Sequence, residues 1–455
     1  MQAKNVATDN VKNAGGGISP SVSADTLGQE MFELIARMYP LCRSITGAGV
    51  RETLAIVKEH IPLEVHEVPT GTAVFDWTVP REWTIRDAYV KDRNGVRVID
   101  FKQHNLHVVG YSVPVHRTMP LAELKSHLFS LPDQPDWIPY RTAYYHESWG
   151  FCVTHNQLLG LVDGDYEVCI DASLEAGSLT YGEYFVPGEI EDEVLFFAHT
   201  CHPSLCNDNL AGIAVATMLA RHLRTLKSRY SYRFVFAQST IGSITWLSIN
   251  AARLQRIKHG LIMAVLGDAG NMTYKKSRRG DAVIDRAVLH VLQHKREPYS
   301  VLEFLPHGYD ERQFCSPGIN LPMGRLTRSP NGGYPEYHTS ADNLDLISPA
   351  ALQDSFSTYT AVTEVLERNR RYLNLNPMCE PQLGRRGLYR KTGSYKDIGA
   401  REHALLWVLN LSDGEHTLLD ITERAGLRFD TVSAAADDLH ASGLLREIHS
   451  HGEST

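Results

Sequence analysis

Cysteine is scarce: seven among 455 residues (Cys42, Cys152, Cys169, Cys201, Cys206, Cys315, Cys379), an odd number with no Cys-x-x-Cys pair. This excludes a disulfide framework and a structural zinc knuckle, and a reducing, cytoplasmic compartment is expected. No stretch approaches the roughly 20 uninterrupted apolar residues of a membrane helix, so no membrane partner is expected. Residues 1–24, rich in Asn, Gly and Ser, lack the apolar centre of a secretory signal and read as a disordered lead. Positive charge is short as well: 45 Lys and Arg stand against 53 Asp and Glu, a formal charge of −8. A general nucleic-acid binder needs clustered cations, so no nucleic-acid partner is expected.

What is present is the composition of an ordinary globular protein at a length that exceeds one core, and two or three domains are expected. Apolar residues at helical spacing (Met31, Leu34, Ile35, Met38) predict a first helix from about residue 25, and a second spans 50–60. Over 63–160 short alternating runs take over, with 84–91 and 96–101 flanking the hairpin signal Arg93-Asn94-Gly95; this reads as a β-rich insert. Strands at 191–198, 232–236 and 260–266 then alternate with helices at 211–226 and 244–254. That is the pattern of an α/β mixed sheet sandwiched by helices, assigned to 25–62 and 161–376. After a linker over 384–394, helices at 400–411, 417–425 and 430–442 and a wing at 443–446 describe a C-terminal winged helix-turn-helix over 385–455.

The densest chemical signal lies between Phe196 and Gly212. An apolar strand ends in His199, a polar loop follows, and Asp208-Asn209-Leu210-Ala211-Gly212 opens an apolar helix. A strand-end His and an Asp at the mouth of the next helix supply two ligands of the type zinc accepts. Asp268 closes the next apolar strand, and His338 sits in a polar loop, Tyr334 to Asn343, before another helix. In α/β sheets such strand-end positions are where ligands bind. His202 is a further metal candidate, while Cys201 reads as an inert buried thiol.

This order of residues resembles the zinc aminopeptidases with a phosphorylase-like α/β fold. They place His, then Asp in Asp-Asn-x-Ala/Ser-Gly, then a carboxylate pair, then Asp, then a late His in His-Thr-x-x-Asp. The resemblance covers about 191–343 and implies zinc held by His199, Asp208, Asp268 and His338. More closely, the chain resembles an aminopeptidase-like family with a β insert and a winged-helix tail, often encoded near polysaccharide or natural-product genes. The residues that carry this are Cys42 to Gly47, Trp149 to Cys152, His199 to Asn209, Asp310 to Cys315 and Tyr334 to Asp342.

Two departures bear on chemistry. Residues 232–243 contain no carboxylate, where the aminopeptidases carry an acidic pair; one zinc ion is therefore expected in preference to two, and the usual base is missing. Cys201 replaces the Asp that orients the first His. Glu336 is the favoured general base, with Asp310 and Glu311 as alternatives. Arg312 reads as a substrate-carboxylate clamp, and Tyr145 and Trp149, beside Tyr144 and His146, as a cover for the cleft. The basic clusters at Lys275 to Arg279 and at Arg385 and Arg386 read as solvated loops.

The resulting expectation is a zinc-dependent hydrolase acting on an N-terminal peptide bond or an aminoacyl or acyl amide of a small molecule or short peptide. The competing reading is a catalytically inactive binding or scaffold module. A DNA-binding regulator is disfavoured because 400–450 carries four basic against nine acidic residues. Docking or homo-oligomerisation is the expected use of that domain.

Overall fold

Apolar runs of period two assemble into one eight-stranded mixed sheet in the computed structural model, which describes residues 24–330, 332–389 and 398–448. The expected lead, apart from Ala24, and residues 390–394 of the expected linker lie outside the described residues. The strands are β1 (Glu64–Pro69), β2 (Ser178–Val186), β3 (Glu193–His199), β4 (Ser231–Ala237), β5 (Ile257–Met263), β6 (Met272–Lys275), β7 (Tyr299–Leu302) and β8 (Met323–Thr327). Their order is β1-β2-β4-β3-β5-β8-β6-β7, with β4, β3, β5 and β8 parallel in the centre.

β3 and β4 are buried along their whole length, as central parallel strands covered on both faces must be. Alternation then divides their side chains between two cores. Phe196 and Phe234 face a cluster shared with α1 (Ala24–Met38), α3 (Gly212–Leu223), α5 (Val283–His294) and α6 (Pro349–Arg368). Leu195, Phe197 and Val235 face the cluster of α4 (Ile241–Ile249) and the insert. The shorter α2 (Ala48–Lys58) packs on β2. Ser348 caps α6, its hydroxyl accepting from the Ala351 amide, with Pro349 at the first helical position.

The insert is a four-stranded antiparallel sheet of Arg97–Asp100, Glu82–Lys91, Asp165–Glu175 and Val115–Pro120, in that order. Its hairpin turns where read: Gly95 adopts φ 78°, and the Asp92 carboxylate accepts from the amides of Asn94 and Val96. The expected limits of 63–160 cut across this sheet. Glu64–Pro69 pairs with β2 of the large sheet, while Asp165–Glu175 belongs to the insert. Turn residues mark where a chain reverses, not which sheet a strand joins.

The C-terminal unit has helices α7 (Ile398–Leu411), α8 (Leu418–Ala425) and α9 (Phe429–Ala441). Thr417 and Asp420 form a capping box for α8, and Gly426 ends it at φ 63°. The central strand of its three-stranded sheet is Arg371–Asn374, which precedes the expected start at 385 and follows α6 directly. Tyr372, Leu418 and Phe429 lie in the same buried cluster as Phe196 and Leu352, so the winged helix shares a core with the α/β unit. No helix among the described residues is long and apolar enough to cross a membrane.

Candidate metal centre

β3 delivers His199 to the carboxyl edge of the sheet, and the loop that follows returns Asp208 to it before α3 begins. The Asp208 backbone is fixed by Asp342, whose carboxylate accepts from the amides of Asn207 (2.6 Å) and Asp208 (3.0 Å). Asn209 locks the other side: its Nδ2 donates to Met263 O at 3.0 Å, and its Oδ1 accepts from the amides of Gly212 and Val265. Both motifs thus build one device, with Asp342 of the late His-Thr-x-x-Asp run holding the early Asp-Asn run.

His199 Nε2 lies 2.9 Å from Asp208 Oδ1, and His338 Nε2 lies 3.0 Å from Asp208 Oδ2. His202 joins His199 and Asp208 in a group whose ligand atoms lie within 4.8 Å of one another. Arg43 donates from Nε to the His202 carbonyl at 2.8 Å and so fixes that loop from below. His338 is held in the left-handed region at φ 57°, a conformation that a non-glycine residue adopts at a cost and that functional sites retain. Its carbonyl accepts from Tyr140 N, while the Ser340 amide donates to Ile138 O and the Ser340 hydroxyl accepts from Ile138 N. The insert therefore straps the loop that presents His338.

Burial alone would raise the Asp208 carboxyl, but the imidazoles of His202, His199 and His338 hold it well below the usual carboxylate range. Burial drives His202 well below the ordinary histidine value, which favours a neutral, ligating ring. No Lys or Arg forms an ion pair with this buried carboxylate among the described residues; its partners are the imidazoles alone. A buried charge without a partner is costly. Three nitrogen donors and one carboxylate satisfy the ligand preferences of a divalent borderline ion such as zinc.

The structure does not bring Asp268 into this group. Its carboxylate accepts from Asn207 Nδ2, Ser329 N, Ser329 Oγ and Gly270 N, and so anchors the Asp208 loop from behind. Glu311 is also committed elsewhere: buried, it pairs with Lys275 at 2.8 Å and Arg325 at 3.7 Å. Lys275, expected in a solvated loop, is buried in β6, because its ammonium also donates to the carbonyls of Leu305 and His307. The side chain of Glu336 has no polar partner among the described residues that draws it to the group; its carbonyl serves the turn, accepting from Thr339.

Asp310 is differently placed. It is buried, accepts from the hydroxyls of Ser239 and Ser243, and is raised by burial against the opposing influence of His199. Those serines follow β4, the strand end that lacks a carboxylate in sequence, so Asp310 brings one there from another segment. Cys201 stays a thiol, pushed up to about 12 by burial.

Trp149 stacks on His127 at 3.6 Å with Arg117 over its ring, a packing role within the insert, and no contact links it to the metal group among the described residues. Tyr145 is exposed, and its phenol feels Cys201, Asp310 and Arg312. Sequence reasoning missed Tyr140, whose ring edges contact His202 and His338 at 5.2 Å, Tyr309, stacked on His199 at 5.3 Å, and Tyr337, stacked on His338 at 3.9 Å. Two of the three carried a signal in their position, immediately before Asp310 and His338.

A family model described as a domain of unknown function (DUF4910) matches residues 32–369, and a winged helix-turn-helix model matches 370–447. The chain belongs to that DUF4910 family. A Clostridium acetobutylicum protein, provisionally named a polysaccharide biosynthesis protein with an aminopeptidase-like domain, is 56% identical over 421 residues, covering 92% of this chain and 97% of its own. The crystal structure of a provisionally named peptidase from Clostridium acetobutylicum superposes with a TM-score of 0.89 at 54% identity, covering 93% of this chain and 97% of that one. A zinc aminopeptidase from Bacillus subtilis shares the fold at a TM-score of 0.55 and 12% identity, covering 74% and 95%. The α/β unit of this family member therefore has a fold like that of the zinc aminopeptidases, and its tail is a winged helix.

Proposed function

We propose that the protein is a zinc-dependent amide hydrolase of the aminopeptidase type, holding one ion at His199, His202 and Asp208 with His338 against the second Asp208 oxygen. The observation that carries this reading is the pair of imidazoles set on opposite oxygens of one buried carboxylate at the carboxyl edge of the sheet. These residues would hold a zinc ion, which would supply a Lewis acid and lower the pKa of water toward neutrality. Asp310, seated by Ser239 and Ser243, is the carboxylate that takes the water's proton and passes it to the departing amine. Tyr140, Tyr309 and Tyr337 wall the imidazoles and exclude bulk water, which strengthens every polar interaction inside.

The absence of a carboxylate in 232–243 favours a second reading, an inactive binding module. Metal content by mass spectrometry on wild type, His199→Ala and His338→Ala, with aminoacyl amides assayed on the same samples, separates the two. About one zinc per chain in wild type, lost with turnover in both variants, supports the hydrolase. Metal-free wild type after zinc repletion, or bound zinc without turnover of any amide, sinks it in favour of the binding module.

A further inference from the structure

Ring contacts run without a break from the metal group to the surface of the insert. Tyr140 touches His202 and His338; its hydroxyl meets that of Tyr144 at 2.8 Å; Tyr144 packs on Tyr145 at 6.2 Å; Tyr145 lies edge-on to Trp77 at 5.3 Å. Trp77 is one wall of a cavity of about 330 Å³, with Phe75, Ile244, Leu247 and Ile319 as further apolar walls and Asp76, Gln313 and Ser316 as its polar ones. Phe75 and Trp77 stay 58% and 39% exposed on a tight hairpin, an apolar surface kept open at roughly 25 cal/mol per Å². An apolar recess of this size with a few polar groups at one side is suited to a small organic moiety.

Next to one of those polar walls in the chain stands a cation, Arg312. It precedes Gln313 on the short helix Glu311–Phe314. Its guanidinium makes one long hydrogen bond, 3.3 Å to Thr240 Oγ1, and its Nε is buried without a partner. Among the described residues no carboxylate pairs with it. Thr240 follows Ser239, which bonds Asp310, and stands at the start of α4, whose Ile244 and Leu247 wall the cavity, so this unpaired cation lies between the cavity and the proton carrier.

We infer that the hydrolase takes an amide whose amine half is an aromatic or branched apolar amino acid with a free carboxylate, the side chain seated in the Trp77 cavity and the carboxylate forked on Arg312. An apolar recess alone would accept any acyl chain; the unpaired guanidinium beside it selects a planar anion. Hydrolysis breaks the C–N bond and forms a C–O bond to the water oxygen. The amine leaves with the proton carried by Asp310, and the products are a carboxylic acid and the free apolar amino acid.

This inference rests on the hydrolase reading and is tested apart from it through product binding. The zinc-repleted full chain is titrated calorimetrically with L-phenylalanine, L-phenylalaninamide and glycine. Phenylalanine is expected to bind about tenfold or more tightly than either of the others, the worth of one charge-assisted hydrogen-bonded contact or of a buried aromatic ring. Arg312→Gln should erase the preference over the amide, Arg312→Lys should keep part of it, and Trp77→Ala should bring phenylalanine down toward glycine. Equal affinities for phenylalanine and its amide, or no binding of phenylalanine, overturn the inference, even where aminoacyl amides are turned over. Selective phenylalanine binding without turnover leaves the pocket intact and refutes the hydrolase.

Discussion

Asp208 is buried between imidazoles on both of its oxygens, so on the proposed reading His199→Ala and His338→Ala should each lose zinc, as metal analysis will show. Asp310→Asn should behave otherwise. It keeps the hydroxyl partners and the bound zinc, and kcat falls about 10²- to 10⁴-fold, the usual worth of general base catalysis, as a steady-state assay with parallel metal analysis will show. Because burial raises the Asp310 carboxyl, the base forms only at a pH displaced upward from that of an ordinary aspartate. The acid limb of the kcat/KM profile should be displaced in the same direction and vanish in the Asn variant. His199, Asp208 and His338 were legible in the sequence because strand ends and helix mouths are fixed by local pattern. Asp268, Glu311 and Glu336 were not separable from Asp310, since a carboxylate's task depends on which donors reach it. Asn207 and Ser329 capture Asp268, Lys275 captures Glu311, and Ser239 with Ser243 holds Asp310 at the end of β4. No spacing rule reveals those partners.

Among the elements, the loop between β3 and α3 depends on a carboxylate more than 130 positions away. Asp342→Ala frees the amides of Asn207 and Asp208, and zinc affinity measured by competition with a chelator should drop about 10- to 100-fold, as for other outer-shell partners. The junction of α5 and α9 carries a second prediction. His290 Nε2 accepts from the Phe429 amide, and burial, then His294, push His290 down to about 4, with Asp430 and Arg428 acting weakly in opposite senses. The neutral ring is required for that bond. Its contribution is whole above the unfolded value near 6.5 and fades as pH falls toward 4. The protection factor of the Phe429 amide, its hydrogen exchange divided by the intrinsic rate at each pH, should fall over that window, and His290→Gln, an uncharged acceptor, should flatten the dependence. Helix and strand positions here were readable from periodicity to within a few residues, as α3 and α7 to α9 illustrate. The assignments of β1, Asp165–Glu175 and Arg371–Asn374 to sheets were not, because pairing partners lie far apart in sequence and alternation is silent about them.

Across the whole molecule, the winged helix is fastened to the α/β unit by a shared core and by ion pairs from Arg286 to Asp420 and Glu423 and from Arg368 to Asp437. A chain ending at residue 369 exposes that core, and its thermal midpoint should fall by about 5 °C or more in a melting experiment. The first turn of α9, which in a DNA reader would meet base edges, is buried here at Phe429 and bonded to His290. Fluorescence anisotropy with duplex DNA should accordingly show no salt-dependent binding. The strap between Tyr140 and His338 carries a further consequence, for biosynthesis. During translation His199 and Asp208 leave the ribosome long before His338, and the insert waits, already made, for a loop that arrives in the last third of the chain. An ion bound there would act as a late clasp on a folding nascent polypeptide, and zinc deprivation during expression should then harm the yield of folded protein more than chelation of the finished molecule does.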